Sequence, residues 1–153
     1  MKEKFISLYI DVAQRIAQLS HARRLKVGAV IVKDHRILSY GYNGTPAGFD
    51  NNCETYEYRQ EKDIDGNLVT VNTNNLVTKP EVIHAEMNAI AKVAKHGDSC
   101  DDASIFITHA PCVECAKMIC QTGIKRVYYS EVYRSDAGLI LLKTSNIETV
   151  KCD

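Results

Sequence analysis

The sequence predicts a single-domain α/β layer fold, and three observations support this. Apolar runs rich in β-branched residues alternate with segments of three-to-four-residue periodicity, so strands take turns with helices. From His84 onward the alternation is regular, which implies parallel pairing through helical crossovers. The length, 153 residues, is enough for one proper core and short for two. The expected whole is one domain over 1–153, built on a mixed, roughly five-stranded sheet, with a polar insertion at about 50–81.

Residues 2–19 place Phe5, Leu8, Val12, Ile16 and Leu19 three or four apart, with Lys4, Asp11, Arg15 and Gln18 between them. That pattern is an amphipathic first helix. The basic stretch 20–26 breaks it. Residues 27–32, VGAVIV, read as a central strand, 33–36 as a polar turn, and 37–42 as a second strand forming a hairpin with the first. Residues 41–48, GYNGTPAG, make a loop whose glycines can bring backbone amides close to a ligand. The insertion at 50–81 carries turn signals at 65–67 and 72–75 and at most a short strand at 68–71. A loop of that length in a compact domain is functional or mobile.

Helical periodicity returns over 81–95, so a helix begins close to His84. Residues 104–109 form a third strand, stopped by Ala110-Pro111. Pro111 suits the first turn of a second helix, where its missing N–H is not needed. That helix covers 112–121, ends at Gly123, and carries Cys112 and Cys115 on one face. A fourth strand at 125–130, a third core helix at 136–143 and a short last strand at 148–151 complete the chain.

Lys+Arg and Asp+Glu balance at 19 each, so no polyanion-binding surface is advertised. This argues against a duplex-binding protein and leaves room for a local cluster that grips one phosphate. The start, MKEKF, lacks the apolar core of a signal peptide, and no apolar run approaches the ~20 residues of a membrane span. A cytoplasmic protein with no membrane partner is expected. In that reducing compartment the six cysteines are not a disulfide framework, and a CxxC pair points to metal or redox chemistry.

The chemistry concentrates in His84-Ala85-Glu86 and Pro111-Cys112-Val113-Glu114-Cys115. One imidazole and two thiolates are the protein ligands of a catalytic zinc that keeps its fourth position open for water. Glu86, two residues from His84, stands beside that position without being a ligand. Both helices start at the site, and their amide ends favour thiolates. A structural zinc would need a fourth ligand from Cys120, Cys100 or His109, yet Cys120 lies on a different helix face and His109 leaves from a strand end. A redox CxxC leaves His84 and Glu86 without a task. The expected cofactor is one catalytic Zn2+, activating water near neutral pH, with Glu86 moving the proton.

The pattern H-x-E…P-C-x-x-C is the signature of zinc nucleobase deaminases. Together with KVGAVIV at 26–32, GYNGTPAG at 41–48, HAEMNAI at 84–90, PCVECAK at 111–117 and GIK at 123–125, it makes the sequence resemble the deoxycytidylate (dCMP) deaminase family over most of its length. The first and last blocks are generic. GYNGTPAG with HAEMNAI is what separates this family from free-nucleoside and tRNA deaminases.

The resemblance implies a three-layer α/β/α cytidine-deaminase-like fold and hydrolysis of dCMP to dUMP with release of ammonia, supplying dUMP for thymidylate synthesis. It implies that the Ala85 N–H and the Ala110 carbonyl hold the base, Ala110 standing where the family often has serine. It also makes Lys26 a phosphate ligand and assigns Asn43 to the sugar hydroxyl and phosphate. Tyr133 and Arg134 follow the fourth strand, at the strand end where α/β sheets bind ligands. Arg134 is expected to fork a phosphate and Tyr133 to wall the site. Arg23 and Arg24 read as a solvated basic turn.

The same resemblance implies activation by dCTP and inhibition by dTTP, with Mg2+ accompanying the nucleotide effector, Gly41, Tyr42, Gly44 and Gly48 near the effector site, and a homo-hexamer. Some relatives carry a second, structural zinc near the position of Cys53, but Ala22 stands where one cysteine would be expected. Cys100 and Cys152 read as incidental and Cys120 as a core residue. Two rival readings stay open. A zinc deaminase of a free nucleoside or a nucleic acid would need no phosphate ligand or a basic track, respectively. A zinc-stabilised binding module would need four ligands and no Glu86.

Overall fold

The computed structural model describes residues 1–152. In chain order the elements are α1 (Glu3–Ala17), β1 (Gly28–Lys33), β2 (Arg36–Tyr42), β3 (Glu54–Lys62), β4 (Leu68–Thr78), α2 (Ala85–His96), β5 (Ser104–His109), α3 (Val113–Gln121), β6 (Arg126–Glu131), α4 (Ala137–Thr144) and β7 (Glu148–Lys151). Five strands form one sheet in the order β2-β1-β5-β6-β7, and β3 and β4 pair separately. β1 runs antiparallel to both its neighbours, whereas β5, β6 and β7 are parallel. The mixed α/β layer fold expected from the sequence is therefore present.

Alternation along the strands builds the layers. Ala29, Ile31, Ile105, Ile107 and Val127 face one side, packed with Ala89 of α2, Ile119 of α3 and Leu142 of α4. Val30, Val32, Phe106 and Tyr128 face the other, against Tyr9, Ile10 and Ala13 of α1. Both faces of the central strands are covered, which is why β1 and β5 read as unbroken apolar runs. Phe106 stacks on Tyr128 at 4.6 Å between ring centroids, and Tyr9 tilts against Phe106 at 5.0 Å. The β1–β2 connection is two residues, Asp34 and His35, both in the left-handed region at φ 49° and 61°, as the twist of a tight hairpin requires.

Several expectations are corrected. The buried residues of α1 are Tyr9, Ile10, Ala13 and Ala17, while Leu8 and Leu19 are exposed, so the predicted stripe is rotated. The polar insertion, expected to hold at most a short strand at 68–71, is a long antiparallel hairpin of β3 and β4. Its side chains are exposed on both faces over most of its length, so no apolar alternation marks it. α2 starts at Ala85, close to His84 as expected, and just before it Ile83 exchanges two backbone hydrogen bonds with Gly44, at 2.8 and 3.1 Å. Cys112 is the N-cap of α3 and not a residue within it, so Pro111 precedes the cap rather than occupying the first turn. Cys100, read as incidental, packs in the core beneath α2. Cys53, Cys100, Cys112, Cys115 and Cys120 are free thiols.

Candidate active site

Two helix starts meet at one point. His84 caps α2 and Cys112 caps α3, each with extended backbone, so the first-turn amides, which have no intrahelical acceptor, point into the site. His84 Nδ1 lies 3.5 Å from Cys112 Sγ and 3.3 Å from Cys115 Sγ. A tetrahedral zinc with Zn–S near 2.3 Å and Zn–N near 2.0 Å needs S···N separations of roughly 3.5 Å. The donor set thus fits zinc in both chemistry and spacing. Among the described residues these three are the one group of His, Cys, Asp or Glu donors close enough to hold a metal. Neither His109, Cys100 nor Cys120 joins them as a fourth ligand, and the described residues form no second such group near Cys53.

The electrostatics suit a cation there. Hydrogen bonding from Cys115, then from His84, lowers the Cys112 thiol to about 3. Cys115 is pushed up by its hydrogen bond to Cys112 and by burial. His84 is raised, chiefly by its hydrogen bond to Cys112. Glu86 is 4% exposed in the first turn of α2, and burial pushes its carboxyl above the ordinary value. A buried carboxyl that holds a proton more firmly than usual is what a reversible proton carrier needs.

A cavity of about 220 Å³ opens over this cluster. Of the residues predicted for the site, His84, Ala85, Glu86, Cys112, Asn43, Ala110, Tyr133 and Arg134 line it, and Cys115 lies buried among the metal donors. Asn43 clamps the neighbouring loop: its Oδ1 accepts from the Val27 N–H and its Nδ2 donates to the Leu25 carbonyl, both at 2.8 Å. The Arg134 guanidinium lies 5.0 Å over the Tyr133 ring, and His109 meets the edge of that ring at 6.3 Å.

Lys26 is exposed and lies outside the cavity lining, where Arg24 stands instead. Arg24 reaches across to Thr78 Oγ1 at 3.0 Å. Gly41, Tyr42, Gly44 and Gly48 are also outside the lining. A side chain at Gly41 would meet the Ala85 carbonyl oxygen at 2.2 Å, so this glycine lets β2 approach the start of α2.

Sequence reasoning missed Glu54, Thr78 and His109 as lining residues and set Arg24 aside. Glu54 and Thr78 sit at the two roots of the hairpin, so recognising β3 and β4 as paired strands was the missing signal. It also missed Gly138. A Cβ there would stand 2.0 Å from the Pro111 carbonyl oxygen, so the start of α4 presses on the backbone that presents Cys112. Among the described residues no helix is long and apolar enough to cross a membrane.

Residues 2–131 match the family described as the cytidine and deoxycytidylate deaminase zinc-binding region. The chain is 35% identical over 156 residues to the deoxycytidylate deaminase of Enterobacteria phage T2, covering 83% of this chain and 80% of that one. It is 41% identical over 124 residues to ComE operon protein 2 of Bacillus subtilis (strain 168), covering 78% of this chain and 56% of the relative. Among solved structures, the dCMP deaminase from the cyanophage S-TIM5 in complex with dCMP and dUMP superposes with a TM-score of 0.84, at 40% identity over 99% of both chains. With the family match spanning most of its length and the deaminase signature folded into a single site, this chain belongs to the cytidine and deoxycytidylate deaminase family.

Proposed function

We propose that this chain hydrolyses dCMP to dUMP and ammonia. The observation that carries the reading is the zinc-compatible spacing of His84, Cys112 and Cys115 with the buried carboxyl of Glu86 beside them, under one cavity. The substrate follows from the relatives, since the cyanophage protein was solved with dCMP and dUMP and the phage T2 relative is a deoxycytidylate deaminase.

His84, Cys112 and Cys115 would hold the zinc, which when bound would supply the Lewis acidity that makes water nucleophilic near neutral pH. Glu86 takes a proton from the attacking water and passes it to N3 of cytosine. It then carries the second water proton from the C4 hydroxyl to the departing amino nitrogen as the C4–N bond breaks and the C4 carbonyl forms, so that dCMP and water give dUMP and ammonia. The Ala85 N–H, one of the first-turn amides of α2, donates to the base, and the Ala110 carbonyl accepts from it. Arg134 and Arg24 take the phosphate, the role the resemblance assigns to Lys26 passing to Arg24 on its position in the lining. Tyr133 walls the pocket, and Asn43 shapes the loop beside the sugar.

Incubation of the protein with dCMP, cytidine, adenosine and a short single strand, with ammonia as the readout, tests the proposal. Ammonia from dCMP alone is expected. Equal turnover of cytidine would assign a free-nucleoside deaminase, and turnover of the strand a nucleic-acid one.

Supply of dUMP for thymidylate synthesis in the cytoplasm, activation by dCTP with Mg2+, inhibition by dTTP and a homo-hexameric assembly belong to the same proposal. Their support is the family resemblance. Rate curves in dCMP with each triphosphate added test the regulation, and indifference to both would remove it.

A further inference from the structure

The two faces of the central sheet are covered unequally. Among the described residues α2, α3 and α4 pack on one face and α1 alone on the other. A helix is ~10 Å across and strands lie ~4.8 Å apart, so one helix covers about two strands. α1 lies over Val30 and Val32 of β1 and Phe106 of β5, which leaves the edge strand β2 bare. In the β1–β2 register Tyr40 stands opposite Val30 and Ile37 opposite Val32. Both therefore face the α1 side, and both are 44% exposed. Lys92, from α2, stands over the Tyr40 ring at 4.3 Å and bounds the surface there. The flank of α1 is uncovered too. Phe5, Leu8, Val12, Ile16 and Leu19, three or four apart, lie beside the buried stripe, with Leu8 and Leu19 49% exposed and the other three half-buried. Phe5 meets the His35 ring of the β1–β2 turn at 4.8 Å, which joins helix flank and strand face in one apolar trough. A contiguous apolar surface of this extent marks an interaction site.

We infer that this trough is a self-association surface, filled by α1 of a second copy lying antiparallel across a two-fold axis. The inference does not depend on the substrate, and it gives the proposed homo-oligomer a specific contact. The helix is self-complementary in that arrangement. With the axis between Val12 and Arg15, Leu8 of one chain stands near the partner's Leu19, and Asp11 near the partner's Arg15. The two-fold makes each contact twice. Asp11 and Arg15 form no ion pair within the described chain, so both charges are free to pair across the axis. A parallel pairing would instead set each of them against its own copy. α1 is ~22 Å long, and seating it against the partner's helix flank and β2 face, in both directions, buries on the order of 1,000 Å² in total, the lower bound of a specific interface. The charges of α1, Glu3, Lys4, Asp11 and Arg15, balance, so the helix lacks the basic excess that draws an amphipathic helix to anionic lipid.

Sedimentation velocity of the full chain over a range of concentrations tests this, with circular dichroism to confirm that each variant is folded. The wild type is expected as an assembly of an even number of chains. Asp11→Arg and Arg15→Asp each set like charges together across the axis and weaken self-association by roughly 10-fold or more. The double variant Asp11→Arg/Arg15→Asp restores it to near the wild-type level, a rescue that a role within one chain does not produce. Leu8→Gln combined with Leu19→Gln weakens association by removing apolar contact. All four side chains are exposed, so these changes leave the core intact. A monomeric wild type overturns the inference and the proposed homo-oligomer together, and binding of that monomer to phosphatidylglycerol vesicles would assign the trough to lipid. An oligomeric wild type whose mass none of these variants changes overturns the inference alone and places the homo-oligomer's contact on another face. Single charge variants that dissociate without rescue in the double variant overturn the antiparallel pairing.

Discussion

At the scale of single residues, the division of labour between metal donors and proton carrier is the testable core. Glu86 lies two residues from His84 but is buried in the first turn of α2 and stands outside the donor group. Glu86→Gln keeps the shape and removes the exchangeable proton, so zinc content should stay at the wild-type level while kcat falls by about 100-fold or more. Metal analysis beside the ammonia assay checks both halves. Wild-type turnover in that variant would remove Glu86 from the mechanism. His84, Cys112, Cys115 and Glu86 were legible in the sequence because their chemistry is rare and their spacing short. Glu54 was not, because its meaning lies in where it ends up: a glutamate in a polar stretch looks like solvated surface until the fold buries it against the amides of Arg23 and Arg24.

At the scale of elements, the site depends on how closely three helices approach one another. Gly138, at the start of α4, touches the backbone of Pro111 and Cys112 with no room for a Cβ. Alanine is the better helix former by about 1 kcal/mol, so propensity alone favours Gly138→Ala. The contact at 2.0 Å predicts the opposite sign, a loss of about 1–3 kcal/mol from overpacking, with lower zinc occupancy because the shift falls on Cys112. Thermal melts and metal content of the variant measure this. A more stable variant with full zinc would show that the contact relaxes freely. The elements themselves were read from periodicity where one face is buried, as in β1, β5 and α3. The β3–β4 hairpin escaped because neither of its faces is buried, so nothing in its polarity alternates with the strand period.

At the scale of the whole molecule, the carboxyl end of β5 and, beside it, the amino end of antiparallel β1 lie at the starts of α2 and α3, and the hairpin adds a further wall through Glu54 and Thr78. The layer order was legible from strand and helix alternation. The composition of the cavity was not, since its lining comes from segments as far apart as Arg24, Thr78, His109 and Arg134. Titrating metal-free protein with zinc while measuring ammonia release from dCMP decides whether this assembly is a zinc-dependent dCMP deaminase. The rate should rise in proportion to bound zinc and saturate when His84, Cys112 and Cys115 hold one ion per chain, with dUMP formed in equal amount to ammonia. Full activity in the metal-free protein, or no ammonia from dCMP at full zinc loading, would contradict it.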